Sequence, residues 1–167
     1  IGGFPVGYIN LNGNSIGNWN RMFFDLTKKV DIKGFINKNS HMPQTKLLDL
    51  YQKKLGDNLN ELEQKLTKYG INIENKLALT LQKLSVKADF VIDLHSAGIN
   101  QPHIYTFPDL INFANLFGMQ HVLKLPLEFT GAFDEAFYLP WAKLAHAYKN
   151  STDKDLHINK ESYTIEL

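Results

Sequence analysis

The motif Asp93-Leu94-His95-Ser96 follows a short apolar run and carries the strongest chemical signal in the chain. The run 90–94 has the composition of a buried strand, and ligands of open α/β sheets bind beyond the carboxyl ends of strands. Imidazole is a common zinc ligand, and its second nitrogen needs an orienting partner. Strand alternation puts Asp93 on the same face as His95, where it can anchor the ring. A histidine that only caps the next loop is the alternative interpretation.

A second candidate is Glu166, which lies near the end of the β-branched run 162–167. Burying a carboxylate is costly unless it is paired or takes part in chemistry. At a strand end in a metal site, a carboxylate can take a proton from water and pass it to a leaving amine. The alternative is an exposed glutamate without a chemical role.

The third candidate is the segment Asn18-Trp19-Asn20-Arg21, in a loop-like stretch rich in Asn and Gly (12–39). Loops of this length are uncommon unless they serve a site. The guanidinium of Arg21 can polarise a carbonyl, or it can simply stack on Trp19. The residues alone leave both roles open. We predict that Asn20 binds substrate.

Four weaker candidates surround these motifs. Ser96 suggests a serine nucleophile, but no Gly-x-Ser-x-Gly elbow surrounds it, so we assign it to substrate binding. His103 either lines the same pocket or lies in a surface loop. Glu128 and the turn 130–134 can border the cleft, although we expect Asp134 to cap the helix that follows.

The segment 43–87 has a helical pattern, because leucines and tyrosines recur at three- and four-residue steps. Gly56 and Gly70 punctuate the pattern, and Asp57 suits an N-cap. We therefore expect helices that break at these glycines, with a third helix over 73–86.

Strands and helices alternate in the rest of the chain. Strands are predicted over 6–11, 90–94, 121–125 and 162–167, and helices over 109–117 and 133–149. The last helix is expected to kink or restart at Pro140. This alternation predicts an α/β fold with a mostly parallel mixed sheet flanked by helices, with 43–87 as a helical insertion.

Composition limits the possible partners. The 167 residues suffice for one domain, and a net charge of +1 gives no field that would attract nucleic acid. No apolar run approaches the roughly 20 residues of a membrane span. The lack of cysteine excludes disulfides and thiolate zinc sites. The compartment stays unknown, with the cytoplasm favoured over secretion. Since the chain lacks a first Met and stops inside a predicted strand, we expect 1–167 to be one partial domain of a longer protein.

The order of the motifs resembles the succinylglutamate desuccinylase/aspartoacylase branch of the zinc carboxypeptidase superfamily. The series runs from the Asn-rich turn 10–14 through Asn-Arg-Met-Phe, the helical insertion and Asp-Leu-His-Ser to Thr-Ile-Glu-Leu. The resemblance implies a zinc-carboxypeptidase-like fold with one zinc ion. It implies that His95 is the third zinc ligand, that Arg21 stabilises the oxyanion and that Glu166 is the general base. The first two ligands of the family belong to an upstream His-x-x-Glu motif.

Two departures from the family pattern affect activity. None of the six histidines is followed three positions later by Glu, and one His cannot hold zinc, so we expect this chain alone to be inactive. The family also has an Asn-Arg pair that grips the substrate carboxylate. We map this pair to 30–34, where Lys33 supplies charge without the two-pronged geometry of guanidinium.

The resemblance implies a zinc-dependent hydrolase that cleaves the amide bond of an N-acyl amino acid or a small peptide. The alternative is a non-catalytic module on the same fold that binds a ligand or partner. Lys33 at the place of Asn-Arg and the missing His-x-x-Glu favour that alternative. A third hypothesis is an unrelated α/β domain whose motif matches are accidental.

Overall fold

A computed structural model describes residues 19–96 and 101–167, with Trp19 described by its backbone alone. The predicted strand 6–11 and the Asn-rich turn 10–14 lie outside the described residues. The described part of the chain forms a four-stranded mixed sheet and five α-helices. The predicted α/β class is confirmed.

The sheet has four strands in the order β1-β4-β2-β3. The strands are β1 (Phe90–His95), β2 (His103–Thr106), β3 (His121–Lys124) and β4 (Glu161–Glu166). β1 runs parallel to β4 and β2 parallel to β3, whereas β2 and β4 are antiparallel. The strands predicted over 90–94, 121–125 and 162–167 are confirmed. β2 was not predicted, although its β-branched and aromatic residues lie between two prolines.

The helical insertion consists of α2 (Gln44–Lys68) and α3 (Ile73–Ser85). The predicted helix break at Gly56 and the N-cap at Asp57 are wrong, because α2 continues through both. Its buried side chains recur every four residues on one face: Leu47, Tyr51, Leu55 and Leu59. Four buried side chains outweigh the cost of one helical glycine, about 1 kcal/mol. The helix does end next to Gly70, which has a positive φ.

The expected loop over 12–39 contains α1 (Ile32–Asn39), which was not predicted. The side chain of Asp31 caps this helix by accepting a hydrogen bond of 2.9 Å from the backbone N–H of Gly34. Ile32, Phe35 and Ile36 pack against the helical core at helical spacing. The Asp31 cap and the apolar spacing both indicate a helix, but the Asn- and Gly-rich composition led to the prediction of a loop.

The predicted helix over 109–117 is a series of short turns that includes α4 (Ile111–Ala114) and closes at Gly118. α5 (Phe133–Thr152) is a single helix across Pro140, so the predicted restart there does not occur. Residues on both sides of Pro140 are buried, and the Tyr51 hydroxyl donates a 3.0 Å hydrogen bond to the Pro140 carbonyl.

α5 joins the two halves of the core. Its residues Trp141, Leu144 and Tyr148 pack with α1, α2 and α3, while Phe137 and Leu139 belong to the cluster formed with the sheet. Within 19–96 and 101–167, no helix has the length and apolar character of a membrane span.

Gly56→Ala is expected to raise the free energy of unfolding by about 0.5–1 kcal/mol. A Cβ at this position meets no atom within 4 Å, and the helix is continuous there. Urea unfolding measures the change. Gly131→Ala is the matched control and should destabilise, because Gly131 has a φ of +107°. A lower urea midpoint for Gly56→Ala would show that the helix breaks at this residue.

Candidate active site

The carboxyl ends of β1 and β4 bring the motif histidine and the motif glutamate together. The two strands pair in parallel with His95 opposite Glu166. Directly paired residues project from the same face, and His95 Nδ1 lies 3.2 Å from Glu166 Oε1. Both side chains are largely shielded, with 14% and 15% of their surface exposed. An imidazole and a carboxylate that are far apart in sequence thus meet at one edge of the sheet.

Asp93 anchors the second nitrogen of the imidazole, as the strand alternation predicted. His95 Nε2 lies 2.8 Å from Asp93 Oδ2. This hydrogen bond raises the pKa of His95, and the negative charges of Glu166 and Asp134 add to the effect, against the opposing influence of burial. The imidazole lies between two carboxylates, so a positive charge on or beside the ring is favoured.

Asp134 lies at the start of α5 and holds β4 in place. It is 4% exposed, and its Oδ2 accepts a 2.9 Å hydrogen bond from the Thr164 hydroxyl. Burial raises its pKa, while the bonds from Thr164 and from the Glu135 N–H lower it. The expectation that Asp134 caps the helix is wrong, because the N-cap is Ala132 and Glu135 makes the capping bonds.

Glu135 organises the turn before α5. Its Oε2 accepts hydrogen bonds from the backbone N–H groups of Thr130, Gly131 and Ala132, at 2.6, 3.0 and 3.2 Å. Its Oε1 accepts a 2.8 Å bond from the Thr130 hydroxyl. The sequence analysis missed this role, although a glutamate at the third helical position is a known capping signal.

The segment with Arg21 packs onto this turn through its backbone. The Phe23 N–H donates to the Gly131 carbonyl at 3.2 Å, and the Phe133 N–H donates to Asn20 Oδ1 at 3.0 Å. A Cβ on Gly131 would lie 2.8 Å from the Arg21 carbonyl oxygen, so only glycine allows this approach. Arg21 is exposed, and its Nη1 donates to the Asn20 carbonyl at 2.6 Å.

Arg21 is therefore held at the end of α5 that also carries Asp134, while no described contact joins its guanidinium to His95 or Glu166. Asn20 lies in the same contact, and Ser96 is exposed directly after β1. Their roles in catalysis and substrate binding stay predictions.

Lys33 lies elsewhere. It lines a groove of about 320 Å³ between α1 and the second half of α5, together with Asn37, Lys143, His146, Ala147, Asn150 and Ser151. At 1.5 Å per residue, His146 is roughly 18 Å along α5 from Asp134. The structure does not bring Lys33 to His95, and its predicted contact with substrate is untested.

His95 fits the chemistry of a zinc ligand. A ligating histidine usually donates its other ring N–H to a carboxylate, which fixes the ring orientation. Asp93 occupies Nε2 in this way, so Nδ1 is the nitrogen on the Glu166 side that can ligate. Among residues 19–96 and 101–167, no group of three or more His, Cys, Asp or Glu side chains could hold a metal ion.

Two solved structures resemble the chain. A protein of Shewanella frigidimarina NCIMB 400, named after succinylglutamate desuccinylase/aspartoacylase, superposes with a TM-score of 0.82 at 30% identity, over 96% of this chain. A protein of Shewanella amazonensis SB2B with the same family name gives a TM-score of 0.81 at 29% identity, over 95% of this chain. The chain spans 41% of the length of each. No protein-family model and no curated protein matches it. The resemblance that the motifs indicated is confirmed.

Relative to the wild type, Asp134→Asn is expected to be less destabilising at about pH 7 than at about pH 4. Burial raises the pKa of Asp134 in the folded state, so folding binds a proton and the contribution of Asp134 to stability decreases as the pH rises above about 4. Asn removes this decrease. Urea unfolding at both pH values measures the difference, with exposed Asp57→Asn as the control. A cost of the substitution that does not fall between about pH 4 and about pH 7 would contradict the raised pKa.

Glu135→Gln is expected to destabilise the protein by about 1.5–3 kcal/mol, because an amide replaces a buried carboxylate oxygen that accepts backbone N–H groups. Thermal unfolding measures the loss. Glu128→Gln, at an exposed position just before the turn, should have almost no effect. Equal behaviour of the two variants would show that the turn does not depend on Glu135.

Proposed function

We propose that this chain is the middle part of a zinc-dependent hydrolase that cleaves an amide bond of an N-acyl amino acid or a small peptide. Its likeness to two proteins named after succinylglutamate desuccinylase/aspartoacylase supports amide hydrolysis. The observation that carries the proposal is the in-register pairing of His95 with Glu166, 3.2 Å apart at one edge of the sheet.

In this proposal His95 Nδ1 is one zinc ligand, and the remaining ligands lie upstream of the chain. When bound, zinc polarises the scissile carbonyl and lowers the pKa of a water molecule. Asp93 keeps the imidazole oriented by accepting from Nε2, which leaves Nδ1 directed toward Glu166. The carboxylates beside the ring also favour a cation at this place.

Glu166 is the proposed general base and acid. Its carboxylate takes a proton from the water that attacks the carbonyl carbon. The same proton then passes to the amide nitrogen as the C–N bond breaks, so the products are a carboxylic acid and an amine. A single carboxylate can perform both transfers because it stands beside the attacked carbonyl throughout. The largely shielded position of Glu166 suits this task, because electrostatic interactions with developing charges are stronger away from bulk water.

Arg21 is the proposed stabiliser of the negative charge that develops on the carbonyl oxygen. Its exposed guanidinium can reorient, whereas its backbone is fixed against the turn at Gly131. Asn20 and Ser96 are proposed to contact substrate. Lys33 is the weakest of the proposed contacts, because its groove lies along the second half of α5.

Glu166→Gln is expected to lower the kcat of the full-length, zinc-loaded protein by about 10²–10⁴-fold, which is the usual contribution of general acid–base catalysis. The measurement is hydrolysis of a panel of N-acyl amino acids and short peptides. Glu61→Gln, an exposed glutamate on α2, is the matched control and should retain full activity.

Zinc content and thermal unfolding of both variants show whether a loss of rate comes from the carboxylate or from a disturbed fold. Equal kcat for the wild type and Glu166→Gln would remove Glu166 from the mechanism. If the wild-type protein binds an N-acyl amino acid but hydrolyses none, the chain is instead part of a binding module on this fold.

A further inference from the structure

Glu166 has a histidine on both sides of it in the sheet. β4 lies between β1 and β2, so Glu166 pairs with His95 on one side and with His103 on the other. Directly paired residues share a face of the sheet, with Cβ atoms about 4.5–5.5 Å apart. The imidazole of His103 therefore projects beside the Glu166 carboxylate, and β4 separates its strand from that of the proposed metal ligand.

The ring of His103 is buried and has a fixed tautomer. The residue is 6% exposed, and its Nδ1 lies 3.1 Å from the Gln101 carbonyl oxygen. A carbonyl oxygen can only accept, so Nδ1 carries the hydrogen and donates. In the neutral ring Nε2 is then a hydrogen-bond acceptor.

Nε2 of His103 has no hydrogen-bond partner among the described residues, although the atom is buried. An unsatisfied buried polar atom destabilises the fold, and each such atom in a native fold needs a reason. Packing does not explain why an imidazole is present here. The ring contacts Tyr105 edge-on with centroids 5.0 Å apart, and a phenyl ring could make the same contact.

We propose that His103 Nε2 binds the N–H of the scissile amide. This inference rests on the proposed hydrolase. Glu166 must reach the amide nitrogen in order to protonate it, and His103 is the residue paired with Glu166 on the side away from His95. The N–H of the amide donates a hydrogen bond, and Nε2 is a buried acceptor without a donor among the described residues. The contact fixes the rotation of the amide while the Glu166 carboxylate approaches the nitrogen.

The test uses His103→Phe and His103→Gln in the full-length, zinc-loaded protein, with an amide substrate and its ester analogue, in which oxygen replaces the N–H. His103→Phe should lower kcat/KM about tenfold on the amide and leave the ester rate unchanged, because the ester has no N–H to bind. His103→Gln retains an acceptor oxygen near the position of Nε2 and should restore most of the amide rate. His157→Phe, at an exposed loop position, is the control.

Urea unfolding provides a second measurement that does not depend on activity. His103→Phe and His103→Gln both lose the bond from Nδ1 to the Gln101 carbonyl, and Nε2 has no partner among the described residues, so His103→Gln should be no more stable than His103→Phe. A higher midpoint for His103→Gln would overturn the proposal, because it would mean that an acceptor at this position already has a partner in the fold. An equal loss of rate on amide and ester would also overturn it. Full amide activity in His103→Phe would reject His103 alone, whereas full activity in Glu166→Gln would reject the hydrolase mechanism itself.

Discussion

The parallel pairing of β1 with β4 is the contact on which the candidate site depends. Side chains alternate between the two faces of a strand, so a slip of one residue would move Glu166 to the face opposite His95. The register is specified by burial, since β4 is a central strand whose residues Ser162 to Ile165 are all buried. The bond from Thr164 to Asp134 adds a polar constraint from α5 on the same face.

α5 connects the site to the rest of the core. Its first turn carries two buried acidic residues with different tasks: Asp134 binds β4, and Glu135 closes the turn against which the Arg21 segment packs. The second half of the same helix packs with α1, α2 and α3. The helical insertion thus fixes the position of α5, and α5 in turn fixes one border of the site.

Two polar groups near this edge of the sheet are buried at some cost. Burial raises the pKa of Asp134, and His103 has a buried nitrogen without a hydrogen-bond partner among residues 19–96 and 101–167. Functional sites often contain such groups, because chemistry needs side chains whose protonation and hydrogen bonding the fold has not already satisfied. The helical half of the core relies instead on apolar packing around Tyr51 and Trp141.

The sequence alone determined what local alternation and composition can determine. It placed His95 and Glu166 at strand ends, put Asp93 on the face of His95 and indicated the fold class, because these features depend on neighbours in the chain. It misjudged the break at Gly56 and the possible restart at Pro140, where packing of a whole helix outweighs one residue's local preference. Only the tertiary structure decided which strands are neighbours. That order put His103 beside Glu166, set Arg21 against Gly131 and left Lys33 along a different part of α5, since pairing between distant segments follows from burial across the whole fold.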